Sequence, residues 1–258
     1  MDISIIIPTY NRRKKLERCL KSFFVQDYPQ QSFEIIVVDD NSKDGTKEMV
    51  EELAKEQNNL FYSFQPRKGP AAARNLGIKR VRGEIIGFTD DDCEVDKNWV
   101  KLMVESHRKN PKITAVGGLT DTFCQKSKVI VSQSLSNGAI QIKIGEKEEV
   151  IFFPTCNVSF KRQIFDKYKF NENFSLPGGE DLEFFWRLFK YKHRFVWNKN
   201  IKVIHNRDKS LSSFVRQAYI YGRGNLLTQY RHKDHPLLKE LKTGKIFFWA
   251  AVLINFII

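Results

Sequence analysis

The chain has 258 residues, a length that can bury a large core and lies near the upper end for a single domain. An apolar content of 41% and an aromatic content of 13% indicate a folded globular protein and exclude a disordered one. The formal net charge of +13 predicts an anionic partner: nucleic acid, an anionic membrane surface or a polyanionic small molecule. No zinc-finger spacing and no Arg/aromatic pattern of an RNA-binding sheet occurs, so we expect no nucleic acid partner.

The first half of the chain alternates predicted strands and helices. Apolar runs typical of buried strands occur at 3–7, 34–38, 61–64, 84–88 and 115–118. Helical spacing of apolar residues predicts helices at 12–26, around 49–53, at 71–81 and at 96–109, with Asn11 and Asp96 as expected caps. This order predicts an α/β fold with a doubly wound, mainly parallel central sheet and helices on both faces.

The second half of the chain is less regular. Residues 121–149 follow no clear period and are expected to form a variable excursion. Strands are predicted at 151–153 and 203–205, a further regular segment at 160–165, and helices at 181–191 and 210–230.

The C-terminal part of the chain is basic and then apolar. Between residues 205 and 245, nine Lys and Arg residues stand against three Asp and Glu, and 246–258 is apolar apart from Asn255. An apolar run of this length is too short for a membrane-spanning helix, which takes about 20 residues. We therefore expect 236–258 to associate with an anionic membrane surface, or to be the truncated start of a transmembrane segment.

The cysteines predict neither a metal cluster nor an oxidising compartment. Cys19, Cys93, Cys124 and Cys156 are far apart in the sequence and form no CxxC pair. The chain opens with an apolar strand-like run in place of a secretion leader, so the cytoplasm is the simplest compartment.

Polar side chains directly follow three of the predicted strands. They form the motifs Pro8-Thr9-Tyr10-Asn11, Asp39-Asp40-Asn41-Ser42 and Thr89-Asp90-Asp91-Asp92. Because a doubly wound sheet binds ligands at the carboxyl ends of its strands, we expect all three motifs at one edge. Three adjacent carboxylates repel one another and predict a bound cation, Mg²⁺ or Mn²⁺, although an isolated acidic triplet is more typical of a solvated turn.

These motifs resemble those of family 2 glycosyltransferases of the GT-A fold. The further matching segments are Gly69-Pro70-Ala71-Ala72-Ala73-Arg74-Asn75 and Gly178-Gly179-Glu180-Asp181, in the same order and spacing. The resemblance implies a domain at 1–235, with a nucleotide-binding half at 1–119 and an acceptor-binding half at 120–235. It also implies inverting transfer of a sugar from a nucleotide diphosphate, with UDP-sugars favoured, to a hydroxyl of a glycan or lipid-linked saccharide.

The resemblance also implies a nucleotide site. Its residues would be Pro8, Thr9, Tyr10, Asn11, Asp39, Asp40, Arg74, Asp90 and Asp91. Asp40 would accept a hydrogen bond from the base, with Pro8 and Tyr10 near the ring. Asp39 is equally well explained as a turn former, and Arg74 either faces the nucleotide or is an exposed helix arginine.

For the metal, the resemblance assigns Asp92 as a direct ligand and Asp90 to the ribose or a metal-bound water. His205 follows a strand and is a tentative third ligand, with a structural histidine as the alternative.

On the acceptor side, Asp181 is the predicted general base, because a sugar hydroxyl is a weak nucleophile near neutral pH. Glu180 is a second choice for the base, and a plain helix cap is the alternative for Asp181. Trp186 and Asn157 are tentative acceptor-lining residues that could equally belong to the core or a turn. Two basic residues of the last helix, Arg216 and Arg223, either reach the diphosphate or form a basic surface.

Two other functions fit parts of this pattern. A sugar-nucleotide-forming nucleotidyltransferase would need a Gly-rich, Arg-containing loop after the first strand, where Pro8-Thr9-Tyr10-Asn11 stands instead. A non-catalytic sugar-nucleotide binding module would not need the metal carboxylates and the candidate base. A P-loop enzyme is excluded because GxxxxGK[ST] is absent from the sequence. The favoured function is therefore sugar transfer at the inner face of the cell membrane.

Overall fold

The computed structural model describes residues 1–122, 140–144, 147–174, 178–206, 211–236 and 238. The strands are β1 (Ile3–Thr9), β2 (Phe33–Asp39), β3 (Leu60–Phe64), β4 (Ile85–Phe88), β5 (Cys93–Val95), β6 (Ala115–Thr122), β7 (Ile140–Ile144), β8 (Lys147–Phe152), β9 (Val158–Lys161) and β10 (Phe195–His205). The α-helices are α1 (Arg13–Phe24), α2 (Thr46–Glu56), α3 (Pro70–Ile78), α4 (Trp99–Lys109), α5 (Ile164–Lys167), α6 (Glu180–Lys190) and α7 (Leu211–Arg231). Short 3-10 turns lie at Gln30–Ser32 and Thr155–Asn157.

Eight strands form one mixed sheet in the order β3-β2-β1-β4-β9-β6-β10-β5. Strands β3, β2, β1 and β4 are parallel, as predicted from the alternating first half of the chain. The far side of the sheet is mixed, because β9 pairs antiparallel with both β4 and β6, and β5 pairs antiparallel with β10. The sequence pattern did not reveal the insertion of β9 between β4 and β6, since this pairing joins residues more than 40 positions apart.

The segment predicted as an irregular excursion, 121–149, contains regular structure in its described part. Strands β7 and β8 pair antiparallel as a separate two-stranded sheet. Strand β10 is also longer than predicted and runs over eleven residues. Its register against β6 shifts between Trp197 and Lys202. Because the residues at this shift are polar, the strand does not form a continuous apolar run, and the sequence pattern predicted only its last part.

Both faces of the sheet are covered by helices, which confirms the doubly wound prediction. On strand β1, Ile5 and Ile7 join the core on one face, and Ile6 joins the core on the other. The first core is completed by α1 and α4, with Phe23 edge-on to Trp99 at 5.7 Å. The second is rich in phenylalanine and packs α3 and α6 against the sheet.

The two predicted helix caps are wrong. Asn11 does not cap α1: its backbone is left-handed, with φ of 50°, and its Oδ1 accepts a hydrogen bond from the Lys43 amide at 2.7 Å. Asp44 instead accepts from the Arg13 amide in the first turn of α1, at 2.9 Å. Helix α4 begins at Trp99, and Asp96 accepts from the Asn98 amide before the helix starts. Asn11 is thus used to join the loops that follow β1 and β2.

No helix in the described part of the chain is both long and apolar enough to cross a membrane. Most of the predicted tail at 236–258 lies outside the described residues.

Candidate active site

The carboxyl ends of β1, β2 and β4 meet at one edge of the sheet, as their polar motifs predicted. The Thr9 hydroxyl donates to Asp91 at 2.8 Å, which joins the first motif to the acidic triplet. The Asn11 amide donates to the Ser42 hydroxyl at 2.8 Å, which joins the first motif to the second. Parallel register between β1 and its two neighbours brings these side chains together.

The carboxylates of the acidic triplet have different partners in the structure. Asp91 is buried between Thr9 and the Arg12 guanidinium, whose Nη1 lies 3.0 Å from the carboxylate. Burial raises the pKa of Asp91 to about 6, although the Arg12 charge opposes this shift. Asp91 therefore holds the loops together and faces the protein interior.

Asp92 is held in its charged form. Burial alone would raise its pKa, but the hydrogen bond and charge of His205, together with Arg12, lower it to about 2. His205 Nε2 lies 3.0 Å from Asp92, Arg12 Nη1 lies 3.1 Å away, and Lys15 Nζ lies 3.9 Å away. Burial in turn lowers the pKa of His205, but its hydrogen bonds to Asp92 and Cys156 raise it to about 10.

Asp90, Asp92 and His205 form a donor set that fits a divalent cation. One ligand atom from each lies within 4.8 Å of the others. The Asp90 side chain is 30% exposed, whereas those of Asp92 and His205 are nearly buried, so the set opens to solvent on the Asp90 side. Two carboxylates and one neutral imidazole suit Mn²⁺, so cation binding would release the proton that His205 shares with Asp92. The carboxylates also suit Mg²⁺.

Asp39 and Asp40 are held differently by the neighbouring loops. Asp39 accepts hydrogen bonds from the Ser42 amide and the Tyr62 hydroxyl, both at 2.8 Å, which is the arrangement of a turn former. Asp40 accepts from Gln65 and from the Lys68 and Gly69 amides at 2.7–3.0 Å.

Asp40 is buried, and its three hydrogen bonds do not use the full acceptor capacity of its carboxylate. Two of the three bonds go to Oδ1 and one to Oδ2. Since a carboxylate offers about four acceptor positions, Oδ2 retains one.

Tyr10 lies beside this carboxylate loop and is covered by an arginine. The Arg67 guanidinium carbon is 3.5 Å from the centroid of the Tyr10 ring, a short cation–π contact. Arg67 itself is exposed. A base stacking on this face of Tyr10 would have to displace Arg67.

Arg74 is buried and links the triplet to the Glu180-Asp181 pair. Its Nη1 donates to Glu180 at 2.8 Å, and its Nη2 donates to Asp90 at 3.2 Å. The side chain is 4% exposed, so the alternative of a solvated helix arginine is wrong. Glu180 is further fixed by the Gly178 amide at 2.7 Å, which leaves both of its oxygens occupied.

Asp181 starts α6 beside this network. Burial and the Glu180 charge raise the pKa of Asp181 to about 7, although Arg74 opposes the shift. The side chain is half-buried and accepts the Leu182 amide at 2.8 Å. A carboxylate with a pKa near 7 suits proton transfer near neutral pH.

The tentative acceptor residues are core residues. Trp186 is 1% exposed and stacks on His235 with ring centroids 4.9 Å apart. Asn157 is 0% exposed, accepts from Trp99 Nε1 at 2.8 Å and donates to the Leu119 carbonyl at 2.9 Å. Neither side chain has surface to offer an acceptor, because the packing of α6 and the 3-10 turn encloses them.

The other basic candidates lie on α7. Arg216 and Arg223 are both exposed there, and of the two readings left open by the sequence this position favours a basic surface.

Sequence reasoning missed three groups in this site. Arg12 pairs with Asp91 and Asp92, Gln65 holds Asp40, and Arg67 covers Tyr10. Arg12 stood directly after the first strand-end motif and could have been inferred from the need to balance three carboxylates. Gln65 and Arg67 lie in a loop without a distinctive pattern.

The cysteine spacing did not reveal that the fold brings two cysteines close to a histidine. One ligand atom each of Cys93, Cys156 and His205 lies within 4.8 Å of the others.

The sheet order is that of the GT-A fold, which solved structures share. The crystal structure of Staphylococcus aureus TarS 1-349 in complex with UDP-GlcNAc matches with a TM-score of 0.66 and 21% identity, over 88% of this chain and 66% of that one. A mannosyltransferase from Pyrobaculum calidifontis, solved with GDP-Man and Mn²⁺, matches with a TM-score of 0.65 and 21% identity, over 98% of this chain and 68% of that one.

The chain belongs to glycosyl transferase family 2, whose family model matches residues 4–169. Among characterised relatives is a dolichyl N-acetyl-alpha-D-glucosaminyl phosphate 3-beta-D-2,3-diacetamido-2,3-dideoxy-beta-D-glucuronosyltransferase of Methanococcus voltae, 28% identical over 98% of this chain and 81% of the relative. Another is the GalNAc(5)-diNAcBac-PP-undecaprenol beta-1,3-glucosyltransferase of Campylobacter jejuni, 29% identical over 84% of this chain and 69% of the relative. The predicted family, the GT-A fold and glycosyl transfer from a nucleotide sugar are confirmed.

Proposed function

We propose that this glycosyltransferase is metal-dependent and inverting, and that it moves a sugar from a nucleotide diphosphate, with UDP favoured, to a hydroxyl of a glycan or lipid-linked saccharide. One observation carries the proposal: Arg74 connects the metal-side carboxylate Asp90 to Glu180, directly before the candidate base Asp181. A donor site and a proton-accepting site are therefore held by one buried ion-pair network.

Nucleotide recognition is assigned to the loops after β1, β2 and β3. The acceptor position left on Asp40 Oδ2 suits an imide N–H of a pyrimidine base, in a charge-assisted hydrogen bond. Tyr10 offers a ring for stacking, and the hydrogen bonds of Thr9 and Asn11 fix its loop, which Pro8 precedes in β1. Asp39 acts through the turn that it organises.

Asp90, Asp92 and His205 are the proposed ligands of Mn²⁺ or Mg²⁺, and the imidazole favours Mn²⁺. A divalent cation bound there supplies positive charge against the diphosphate that departs with its bonding electrons. Arg12 and Lys15 hold the Asp92 carboxylate in place from the protein side.

Asp181 is the proposed general base, and Glu180 positions it. Both Glu180 oxygens are engaged by Arg74 and the Gly178 amide, whereas Asp181 retains free acceptor capacity at its half-buried carboxylate. With one base and direct attack by the acceptor hydroxyl, displacement at the anomeric carbon inverts its configuration.

The acceptor is proposed to be presented at the cytoplasmic face of an anionic membrane. The relatives from Methanococcus and Campylobacter carry dolichyl and undecaprenol acceptors in their names. Helix α7 supports this proposal with an exposed apolar stripe of Val215, Tyr219, Leu226 and Tyr230, which are 58–82% exposed. At about 100° per residue these four lie within about 60° of one another, and Arg216 and Arg223 border them.

The donor half is tested by nucleotide release. Purified protein is incubated with UDP-, GDP- and dTDP-sugars, with and without Mn²⁺ or Mg²⁺, and the released nucleoside diphosphate is measured. We expect metal-dependent release with one nucleotide class, most strongly with UDP. If none of the donors is bound or hydrolysed in a metal-dependent way, the proposal is wrong. Binding without turnover would instead indicate a binding module, and pyrophosphate release from a nucleoside triphosphate and a sugar phosphate would indicate a nucleotidyltransferase.

A further inference from the structure

Three soft metal-ligating side chains from three parts of the fold meet beside the carboxylate site. Cys93 begins β5 and His205 ends β10, and the two residues are direct partners in the antiparallel register of these strands. Directly paired residues project to the same face with Cβ atoms about 5 Å apart. Cys156 approaches from the 3-10 turn at Thr155–Asn157, and the three ligand atoms lie within 4.8 Å of one another.

Ordinary core packing does not account for all of this cluster. Buried cysteines commonly behave as small apolar side chains, and both thiols do belong to the core on one face of the sheet. The cluster, however, also contains an imidazole. The Cys156 sulfur lies within 4.8 Å of a ligand atom of Cys93 and of His205, and Thr120 Oγ1 lies 3.7 Å from it. The three side chains therefore form a preformed set of possible metal ligands.

The chemistry of the set differs from that of the neighbouring carboxylates. Two sulfurs and one imidazole nitrogen select soft or borderline cations such as Zn²⁺ and Cd²⁺, whereas Mg²⁺ and Mn²⁺ prefer oxygen. Three protein ligands leave a fourth tetrahedral position for water. Coordination requires two thiolates and a neutral imidazole, so every proton that the two thiols and His205 carry is released to solvent when the three metal–ligand bonds form.

We propose that Cys93, Cys156 and His205 form a second metal site, specific for thiophilic divalent cations, that shares His205 with the carboxylate site. A cation held by the two sulfurs draws His205 away from Asp90 and Asp92, so that occupancy of the thiol site weakens the carboxylate site. Zn²⁺ or Cd²⁺ then inhibits sugar transfer. The inhibition, but not the metal binding, rests on the proposed function.

Direct binding is measured by titrating the reduced protein with Cd²⁺ in excess Mg²⁺ and following thiolate-to-cadmium absorption in the ultraviolet. We expect saturation at one Cd²⁺ per chain. Cys93→Ser and Cys156→Ser should each weaken binding at least tenfold, because each removes one sulfur ligand. Cys19→Ser is the matched control: Cys19 is equally buried and belongs to the same core, but lies outside the triad. No absorption, or absorption unchanged in both variants, would overturn the proposal.

A second measurement needs no substitution. Anomalous diffraction from crystals soaked in Cd²⁺ locates the ion directly. A peak bounded by Cys93, Cys156 and His205 supports the site, and a peak at the Asp90 and Asp92 carboxylates alone refutes it.

The functional consequence is read as a ratio of activities with and without micromolar Zn²⁺ at saturating Mn²⁺. Zn²⁺ should lower the activity of the wild type at least tenfold. It should lower the activity of Cys156→Ser much less, whatever the rate of that variant without Zn²⁺. Equal Zn²⁺ sensitivity in the two proteins would remove the inhibitory role. If no activity exists to inhibit, the proposed function fails, and the cadmium titration still decides the metal site.

Discussion

The aspartates at the sheet edge have the same side chain, but their surroundings shift its pKa in different directions. Burial raises the pKa of Asp91 to about 6 and that of Asp181 to about 7. The charges of His205 and Arg12 overcome the same effect at Asp92, and lower its pKa to about 2. One carboxylate is therefore kept as a permanent anion, while Asp181 is poised to gain and lose a proton near neutral pH.

Replacing Asp181 by Asn tests the general base. We expect transfer to fall at least a hundredfold while donor binding changes little, because the amide cannot accept the acceptor proton. In the wild type, the rate at low acceptor concentration should fall as the pH drops below about 7, since protonation of Asp181 removes the base. A pH–rate profile measures the pH dependence of transfer, and a nucleotide-binding isotherm measures donor binding in the variant. Normal turnover in the variant would contradict the assignment.

The same substitution should change the pH dependence of stability. The pKa of Asp181 rises from an ordinary 3.8 to about 7 on folding, so the folded state binds the proton more tightly than the unfolded state. Its contribution to stability is fully present below about pH 3.8 and is lost as the pH rises towards 7. Asp181→Asn should therefore be more stable than the wild type at pH 7.5, and the difference should shrink towards pH 4. Urea denaturation at several pH values measures this, and equal unfolding free energies throughout would contradict it.

The turn that begins α6 is fixed by close contact with α7. Gly179 has a left-handed φ of 96°, and a Cβ on it would lie 2.6 Å from the Gly224 Cα. A Cβ on Gly224 would lie 2.2 Å from the Gly178 carbonyl oxygen. The atoms that an added Cβ would meet are backbone atoms, which cannot move aside as a flexible side chain could. The turn and α7 can therefore approach this closely only because Gly179 and Gly224 have no side chain.

Gly224→Ala should therefore separate α7 from the turn that carries Glu180 and Asp181. Alanine raises helix propensity by about 1 kcal/mol, but the clash costs about 1–3 kcal/mol, so the net loss of stability should be small to moderate. Displacement of Asp181 by about 1 Å should lower kcat by about a hundredfold. Gln229→Ala, in the same helix, is the control. Wild-type kcat in Gly224→Ala would show that this contact does not position the base.

The exposed stripe on α7 predicts binding to anionic lipid. In flotation with vesicles containing phosphatidylglycerol, Arg216→Glu/Arg223→Glu should lose most of the bound fraction, because each arginine near the surface contributes about 1 kcal/mol. Lys47→Glu/Lys55→Glu on α2 changes the net charge equally and should retain binding, since both lysines are exposed on another helix. Equal loss in both double variants would indicate a general charge effect, and no binding by the wild type would refute the membrane proposal.

The predicted boundary at 119/120, between a nucleotide-binding and an acceptor-binding half, falls inside β6, so one sheet runs across it. Arg74 from α3 reaches Glu180 of α6, so that an ion pair between buried side chains connects helices more than 100 positions apart. Ligand binding at one end of this connection is therefore expected to stabilise the whole molecule.

A nucleotide sugar with Mn²⁺ should raise the melting temperature. At a hundredfold excess over Kd the ligand stabilises by about 2.7 kcal/mol. At about 2–4 °C per kcal/mol for a chain of this size, the shift should be about 5–10 °C. Asp92→Asn should lose the metal-dependent part of the shift, which thermal denaturation with and without EDTA measures. A shift that is the same in Asp92→Asn would contradict the assignment of Asp92 as a ligand.

The donor side of the molecule could be predicted because its signals are local. Each parallel strand is a continuous apolar run with polar residues at its carboxyl end, and parallel pairing brings those ends together whatever the loops do. Thr9, Asp40 and Asp90 therefore lie at one edge of the sheet, as their positions in the sequence implied.

Tertiary structure alone decided the partners of these groups. Arg12 contacts Asp92 and Arg74 contacts Glu180, over separations of 80 and 106 positions. His205 lies close to two buried thiols that are at least 49 positions away in the sequence. No periodicity records such contacts, because they depend on strand order and on the antiparallel pairing of β5 and β9. Burial then sets the charge of each group, since the free energy of an ionised side chain depends on the solvent and charges around it. The sequence determined which chemistry meets at the sheet edge, and the packing decided which of those groups are charged, occupied or free to react.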